Sequence, residues 1–186
     1  MNLWLRMLWY LLTLGRQPRL TLPGDASTLS FRVLPNDLDT SLHMNNGRYL
    51  TLMDLGRLDI MVASGLWRAV LRHRWTPIAS AVLVRYRREL RLWQRFRLES
   101  RIVCWEGAIV VIEQIFFIDG GERDGEIAAR ALFKGGLYDR AARRFVDVAR
   151  LMSEIGITAA SPVPSAEIDA FLHADDQLKQ SSQQRT

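Results

Sequence analysis

The hydrophobic pattern is most regular over residues 46–64, where apolar or small residues recur at steps of three and four. This spacing places them on one face of a helix. The residues of that face are Tyr49, Met53, Gly56, Ile60 and Ala63, with Leu50, Leu52 and Val62 widening it. Asn45 or Asn46 can cap the first turn, and Gly65 can end the last turn in the left-handed conformation. The pattern therefore predicts one long helix with both ends marked.

Alternation of apolar and polar residues predicts five strands, one before this helix and four after it. The predicted strands cover residues 28–34, 78–92, 95–105, 108–118 and 127–138. Four successive antiparallel strands with an apolar face need a cover, and the long helix is available for that role. The order of elements therefore predicts an α+β domain in which a sheet packs on one helix.

The two ends of the chain differ from this central domain. Residues 1–14 are strongly apolar, but they are interrupted by Arg6 and are shorter than the roughly 20 residues that span a bilayer. Trp4, Trp9 and Tyr10 favour a membrane interface, so a short in-plane anchor competes with a helix that packs on its own domain or on a partner subunit. We divide the chain into an N-terminal segment (1–19), a domain (27–160), and a linker, short helix and polar tail (161–186). The tail is expected to be disordered from Gln177.

Composition narrows the classes of function. With 186 residues and 48% hydrophobic content, the chain can form one domain with a substantial core. The formal charge is +5 and nearly all the cations are arginine, which suits phosphates, including those of CoA, or an anionic membrane. The cations alternate with core residues across several strands without a recognition helix, so nucleic-acid binding is not expected. Cys104 is the single cysteine, which excludes an intrachain disulfide and favours a reducing, cytoplasmic compartment. No spacing typical of metal ligands is present.

Polar, turn-forming residues are crowded just before the predicted helix, and Asp37, Asp39 and His43 lie among them. A helix N-terminus offers free backbone N–H groups and a partial positive charge, which suit a developing oxyanion or a phosphate. A carboxylate beside such a group is an arrangement for acyl transfer. From the pattern alone, an Asp turn or cap is the competing interpretation.

The string Asp37-x-Asp39-x-x-x-His43-Met44-Asn45-Asn46-x-x-Tyr49-Leu50 resembles a known signature. It is similar to that of hotdog-fold acyl-CoA thioesterases of the 4-hydroxybenzoyl-CoA thioesterase-like group, within the subgroup of thioesterase superfamily member 6-like proteins. The resemblance covers residues 27–138. The family usually has glycine before the histidine, and this chain has Leu42.

The resemblance implies a hotdog fold, a curved antiparallel sheet wrapped around the long helix. It also implies a homodimer or tetramer with active sites at the subunit interface, and hydrolysis of acyl-CoA without a cofactor. Asp39 would act as nucleophile or general base, and a backbone amide, sought at residues 43–47 or 76–80, would stabilise the oxyanion. The residues expected to bind substrate or shape the site are His43, Asn45, Asn46 and Tyr49.

An alternative of a different class is a non-catalytic hotdog module that binds acyl ligands or partner proteins at a membrane. Leu42 in place of glycine and the apolar N-terminal segment motivate it. Both hypotheses are compatible with a cytoplasmic protein that makes peripheral contact with the inner face of a membrane.

Overall fold

The computed structural model describes residues 6–8, 10, 12 and 19–184. Within these residues, six strands form one antiparallel sheet in the order β1-β3-β4-β5-β2, and β6 pairs with β5. The strands are β1 Ser27–Arg32, β2 Trp75–Tyr86, β3 Arg95–Glu106, β4 Ile109–Asp119, β5 Ile127–Asp139 and β6 Arg144–Phe145. The helices are α1 Asn46–Ala63, α2 Leu66–His73, α3 Val148–Ser153 and α4 Ala166–Gln183, and a 3-10 turn covers Pro35–Asp37. This is the α+β arrangement that the pattern predicts.

Helix α1 lies against the sheet and has the predicted ends. The Asn45 side-chain oxygen accepts a hydrogen bond from the Gly47 amide at 2.8 Å, and Gly65 has a φ of +84°. Its core-facing residues are buried: Tyr49, Leu52, Met53, Leu55 and Ile60. The apolar stripe therefore holds the helix on the sheet, and the cap fixes where it begins.

Helix α1 approaches the sheet most closely at Gly56. A Cβ atom on this glycine would lie 2.3 Å from the Ser100 hydroxyl oxygen and 2.9 Å from the Gln114 side-chain nitrogen. Ser100 and Gln114 are fully buried, and the Gln114 amide donates to the Met53 carbonyl at 3.0 Å and to the Ser100 hydroxyl at 2.9 Å. A small polar cluster therefore joins the helix to the sheet where a side chain would not fit.

Strand β2 is the last strand of the sheet order, and β5 pairs with it on one side. Ile78, Val82 and Leu83 on β2 are 37%, 43% and 53% exposed. Pro77, which lacks an N–H donor, is tolerated because edge strands do not need every ladder hydrogen bond. A 12-residue edge strand with exposed apolar side chains is a surface suited to pairing with another chain.

Four elements differ from the prediction, and the first is the two-residue strand β6, which the pattern does not predict. Residues 66–73 form α2, although the pattern predicts no element there, and β2 ends at Tyr86, so Leu90 and Leu92 lie in a loop. Helix α4 continues to Gln183, past the start of the expected disordered tail. The first half of α4 packs on the sheet, where Ile168 and Phe171 join a cluster with Cys104, Val111 and Leu132. The Lys134 ammonium also binds the Asp175 carboxylate at 2.7 Å.

Residues 6–8, 10 and 12 of the N-terminal segment are helical, and Met7 and Tyr10 pack on the domain. Tyr10 is 5% exposed and donates its hydroxyl to the Asp59 carboxylate at 2.7 Å, while Leu8 and Leu12 are 54% and 72% exposed. Of the two alternatives for this segment, these contacts match packing on its own domain. Trp4, Trp9 and Arg16 lie outside the described residues. None of the helices in the described part of the chain is long and apolar enough to cross a membrane.

Candidate active site

Asp39 lies in a closed loop, residues 37–45, which we call the Asp39 loop. Leu38 and Met44 form an antiparallel bridge at its base. The Asp39 amide donates to the His43 carbonyl at 3.0 Å, and the Leu42 amide donates to the Asp39 carbonyl at 3.1 Å. Leu42 has a φ of +61°, the left-handed region that glycine adopts at low cost, so the geometry explains why glycine is usual there.

The Asp39 carboxylate is held inside the loop and remains accessible to solvent. One oxygen accepts a hydrogen bond from the Ser41 amide at 2.9 Å, and the other lies 3.2 Å from the His43 Nδ1 atom. The side chains of Asp39 and His43 are 24% and 34% exposed. The structure therefore brings these two predicted site residues together on an open surface of the loop.

Asp37, two residues earlier, has the opposite environment. Its side chain is 1% exposed and lies 2.5 Å from the Arg6 guanidinium. The same oxygen accepts a hydrogen bond from the Leu34 amide at 2.9 Å, and the Asp37 carbonyl accepts one from the Asn45 amide at 2.8 Å. Asp37 is thus a buried structural residue at the base of the loop.

The start of α1 has an open backbone donor, the amide of Asn46. The amides of Gly47 and Arg48 are both bonded to Asn45, through its side-chain and carbonyl oxygens respectively, and the Met44 amide is bonded to the Leu90 carbonyl. Within the described residues, the Asn46 amide has no acceptor. This donor lies at the positive end of the helix dipole, where an oxyanion is stabilised.

Asn46 and Tyr49 contact β2 at its C-terminal end. The Tyr86 hydroxyl donates to the Asn46 carbonyl at 3.2 Å. The Tyr49 ring lies edge-on to the rings of Tyr86 and Phe116, with centroids 5.1 Å and 4.9 Å away. Tyr49 is buried, and burial raises the pKa of its hydroxyl, so it stays neutral. Its ring packs beneath the N-terminus of α1 and does not face solvent.

A separate apolar cavity of about 210 Å³ lies near the other end of α1. It is enclosed by the C-terminal half of α1, α2, the start of β2, the inner face of the sheet and α3; Ile78 lies at its exposed side and Met152 at its buried side. No motif marks this cavity, because its lining residues come from three helices and four strands that are separate in the sequence. Sequence reasoning missed it for that reason.

Arg57 supplies polarity at the wall of this cavity. Its guanidinium donates to the Gln114 side-chain oxygen at 2.7 Å, pairs with Asp54 and lies 4.0 Å from the centre of the Phe133 ring. Burial lowers the pKa of Arg57, although the Asp54 carboxylate opposes that shift. Arg57 follows Asn46 by 11 residues, so the cavity and the helix N-terminus of one chain are about 16 Å apart along the axis.

A group of arginines follows β2 beside the Asp39 loop. Arg88 and Arg123 both bind the Glu126 carboxylate at 3.2 Å, and Arg87 is exposed next to them. The bond from the Met44 amide to the Leu90 carbonyl joins this segment to the loop. These arginines therefore lie beside a segment that is hydrogen-bonded to the Asp39 loop.

Comparison with known proteins supports the predicted family. A sequence profile described as the thioesterase-like superfamily matches residues 33–173. Protein THEM6 of Xenopus laevis is 40% identical over 84 residues, which are 45% of this chain and 41% of that protein. The chain therefore spans less than half of that relative's length.

Solved structures show the same fold. The probable thioesterase YbaW from Escherichia coli superposes with a TM-score of 0.62 at 21% identity, covering 69% of this chain and 94% of that one. A 4-hydroxybenzoyl CoA thioesterase mutant complexed with 4-hydroxybenzoyl CoA gives 0.63 at 12% identity, covering 70% and 97%. The predicted hotdog fold is confirmed.

Proposed function

The chain belongs to the thioesterase-like superfamily, and from that premise we propose that it hydrolyses acyl-CoA thioesters to a free acid and CoA. The observation that carries the proposal is the solvent-accessible Asp39 carboxylate, fixed in a closed loop immediately before the N-terminus of α1. The likeness to a thioesterase structure that holds its acyl-CoA supports the same class of substrate.

The chemistry needs a carboxylate and an anion-stabilising donor at one thioester carbonyl. Asp39 either attacks the carbonyl carbon or removes a proton from an attacking water molecule. The open Asn46 amide donates to the oxygen that becomes negative, and the C–S bond then breaks to release CoA. His43, 3.2 Å from the carboxylate, holds it in position. Both routes consume one water molecule and leave the enzyme unchanged.

We further propose that two chains complete the site by pairing their β2 edges. A two-fold axis near Val82 would set Tyr86 of the partner subunit opposite Ile78, because paired antiparallel strands run in opposite directions. Tyr86 touches the helix N-terminus through Asn46, and Ile78 lines the cavity. Pairing therefore brings the partner's Asp39 loop towards the mouth of the cavity.

The cavity is the proposed site for the acyl group. Its volume of about 210 Å³ exceeds the roughly 150 Å³ of an engineered apolar cavity that binds benzene. An aromatic or short aliphatic acyl group fits such a space. For the phosphates of CoA we propose Arg87 and Arg88, since they lie on the segment joined to the Asp39 loop.

The test is release of free thiol from short, medium, long and aromatic acyl-CoAs. Asp39→Asn keeps the shape of the side chain and its bond from the Ser41 amide but removes the charge, so we expect a loss of roughly 10²-fold or more in kcat. Asp124→Asn is a matched control, because Asp124 also accepts a loop amide, from Gly120 at 2.7 Å. Unchanged hydrolysis in Asp39→Asn would refute the role of this carboxylate.

A non-catalytic module that holds acyl ligands or partners at a membrane is the second candidate. The exposed Leu8 and Leu12 of the N-terminal segment and the exposed Leu42 favour it. It predicts that Leu8→Ser/Leu12→Ser reduces binding to vesicles of anionic phospholipid. Robust turnover of an acyl-CoA excludes the non-catalytic form, and unchanged vesicle binding excludes the membrane contact.

A further inference from the structure

The N-terminal segment reaches the base of the Asp39 loop through Arg6. The Arg6 guanidinium lies 2.5 Å from the Asp37 carboxylate, donates to the Arg32 carbonyl at 3.0 Å and lies over the Phe31 ring at 5.8 Å. The side chains of Arg6 and Asp37 are 11% and 1% exposed. Such a pair is weakly screened by solvent, and removing one partner leaves a buried charge.

Asp37 connects both ends of the loop that carries Asp39. Its carboxylate accepts a hydrogen bond from the Leu34 amide, before the loop, and its carbonyl accepts one from the Asn45 amide, after the loop. Asn45 in turn caps α1 and orders the first-turn amides. A shift of Asp37 would therefore move the carboxylate of Asp39 and the proposed oxyanion donor relative to each other.

A second buried contact fixes the same segment elsewhere on α1. Tyr10 lies one helical turn after Arg6, on the same face. The Asp59 carboxylate accepts hydrogen bonds from the Tyr10 hydroxyl at 2.7 Å and from the Ser27 hydroxyl at 2.6 Å. The segment is thus attached at two places, and of these two the Arg6 contact reaches the loop.

We propose that the N-terminal segment is a strap that positions the Asp39 loop, and that Arg6 is a positioning residue for catalysis. The role in catalysis rests on the proposed thioesterase function, but the order of the loop does not. Arg48 also approaches Asp37, at 3.7 Å, and its side chain is 30% exposed. The Arg6 contact is shorter and more buried, so of these two arginines Arg6 makes the stronger ionic contact with Asp37.

The first readout is kinetic. In the full chain, Arg6→Met should lower kcat for the best acyl-CoA about tenfold or more with little change in KM, because neither Arg6 nor Asp37 lines the proposed acyl cavity. Arg6→Lys, which keeps the charge, should recover part of that loss. Tyr10→Phe breaks the second attachment and should have a smaller effect. Arg95→Met is the matched control, since it removes an exposed ion pair with Asp119.

The second readout is amide hydrogen exchange, which needs no turnover. In Arg6→Met the amides of Leu42 and Asn45 should exchange about tenfold faster, while the amides shared by β3 and β4 keep their wild-type rates. If Arg6→Met does not fold, Arg6→Gln carries the same comparison, because it keeps a donor and removes the charge. Wild-type exchange in the loop overturns the strap. Faster exchange with unchanged kcat overturns the positioning role. If the wild-type chain itself hydrolyses no acyl-CoA, faster loop exchange in Arg6→Met still supports the strap, while the proposed function is refuted.

Discussion

Replacement of Gly56 by alanine tests how closely α1 must lie on the sheet. The new Cβ would be 2.3 Å from the Ser100 hydroxyl oxygen, 2.9 Å from the Gln114 side-chain nitrogen and 3.1 Å from a methyl carbon of Leu98. All three neighbours are fully buried. Ser100 and Gln114 also bond to each other, so neither moves without losing a hydrogen bond.

The expected change in the free energy of unfolding combines one stabilising and two destabilising contributions. Alanine has a better helix propensity than glycine, which stabilises by about 1 kcal/mol. Overpacking costs about 1–3 kcal/mol, and a buried polar group without its partner costs about 1–3 kcal/mol more. We expect a net loss of roughly 2–3 kcal/mol, which for a chain of this length lowers Tm by roughly 4–12 °C.

Thermal and urea unfolding measure this change, and a second substitution tests its cause. Ser100→Ala removes the nearest clashing atom, so Gly56→Ala and Ser100→Ala should be less destabilising together than the sum of the two, by about 1–2 kcal/mol. Gly47→Ala in the exposed first turn of α1 is the control, and we expect a change below about 1 kcal/mol. A Gly56→Ala protein as stable as wild type would refute the close packing. An additive double variant would show that Ser100 is not the obstacle.

Two further predictions concern the Asp39 loop. Asp37→Asn leaves Arg6 buried without its countercharge and should lower the free energy of unfolding by about 3 kcal/mol in urea unfolding; a change below 1 kcal/mol would show that the ion pair is dispensable. Leu42→Gly relieves a left-handed leucine that is 73% exposed and should raise the free energy of unfolding by up to about 1 kcal/mol, partly offset by the flexibility of glycine. A lower Tm in Leu42→Gly would instead indicate that the leucine makes a stabilising contact.

Local patterns predicted the central helix and the long strands because those signals lie within single elements. Asn45 and Gly65 mark the two ends of α1, and the structure has both caps. Helix α2 was missed because it has only eight residues, fewer than the window of about 11 or more over which a helical period is read. The short helix of the tail was predicted, but its continuation from Gln177 to Gln183 was not, because that stretch is polar and carries no apolar stripe.

The candidate site was predictable only in part, because a local motif does not report contacts between distant parts of the chain. Asp39 and His43 are four residues apart in a local turn, and the motif indicates them directly. The ion pair between Arg6 and Asp37 joins residues 31 positions apart, and no local pattern predicts it. The motif also does not say which of its two aspartates is buried. That distinction depends on Arg6, from a segment whose composition suggests a membrane anchor.

The cavity and Asp39 lie at opposite ends of α1 in one chain. The last prediction is therefore that each active site is shared between two subunits. If the acyl cavity of one subunit works with the Asp39 of its partner, two inactive variants should restore each other's activity. One variant is Asp39→Asn, and the other is Val110→Trp, which fills the cavity from β4 and keeps Asp39.

In a mixture of the two variants after subunit exchange, half of the dimers are hybrids, and each hybrid has one intact composite site. The expected turnover is therefore about a quarter of the wild-type value, in a symmetric dimer that exchanges at random. Native mass spectrometry confirms that hybrids form, and unfolding curves confirm that Val110→Trp is folded. If cavity and carboxylate acted within one chain, every subunit in the hybrid would lack one of them, and turnover would stay at the level of the separate variants. Restoration thus requires that the substrate lie across the β2 edge, with its acyl group in one subunit and its thioester at the partner's helix N-terminus.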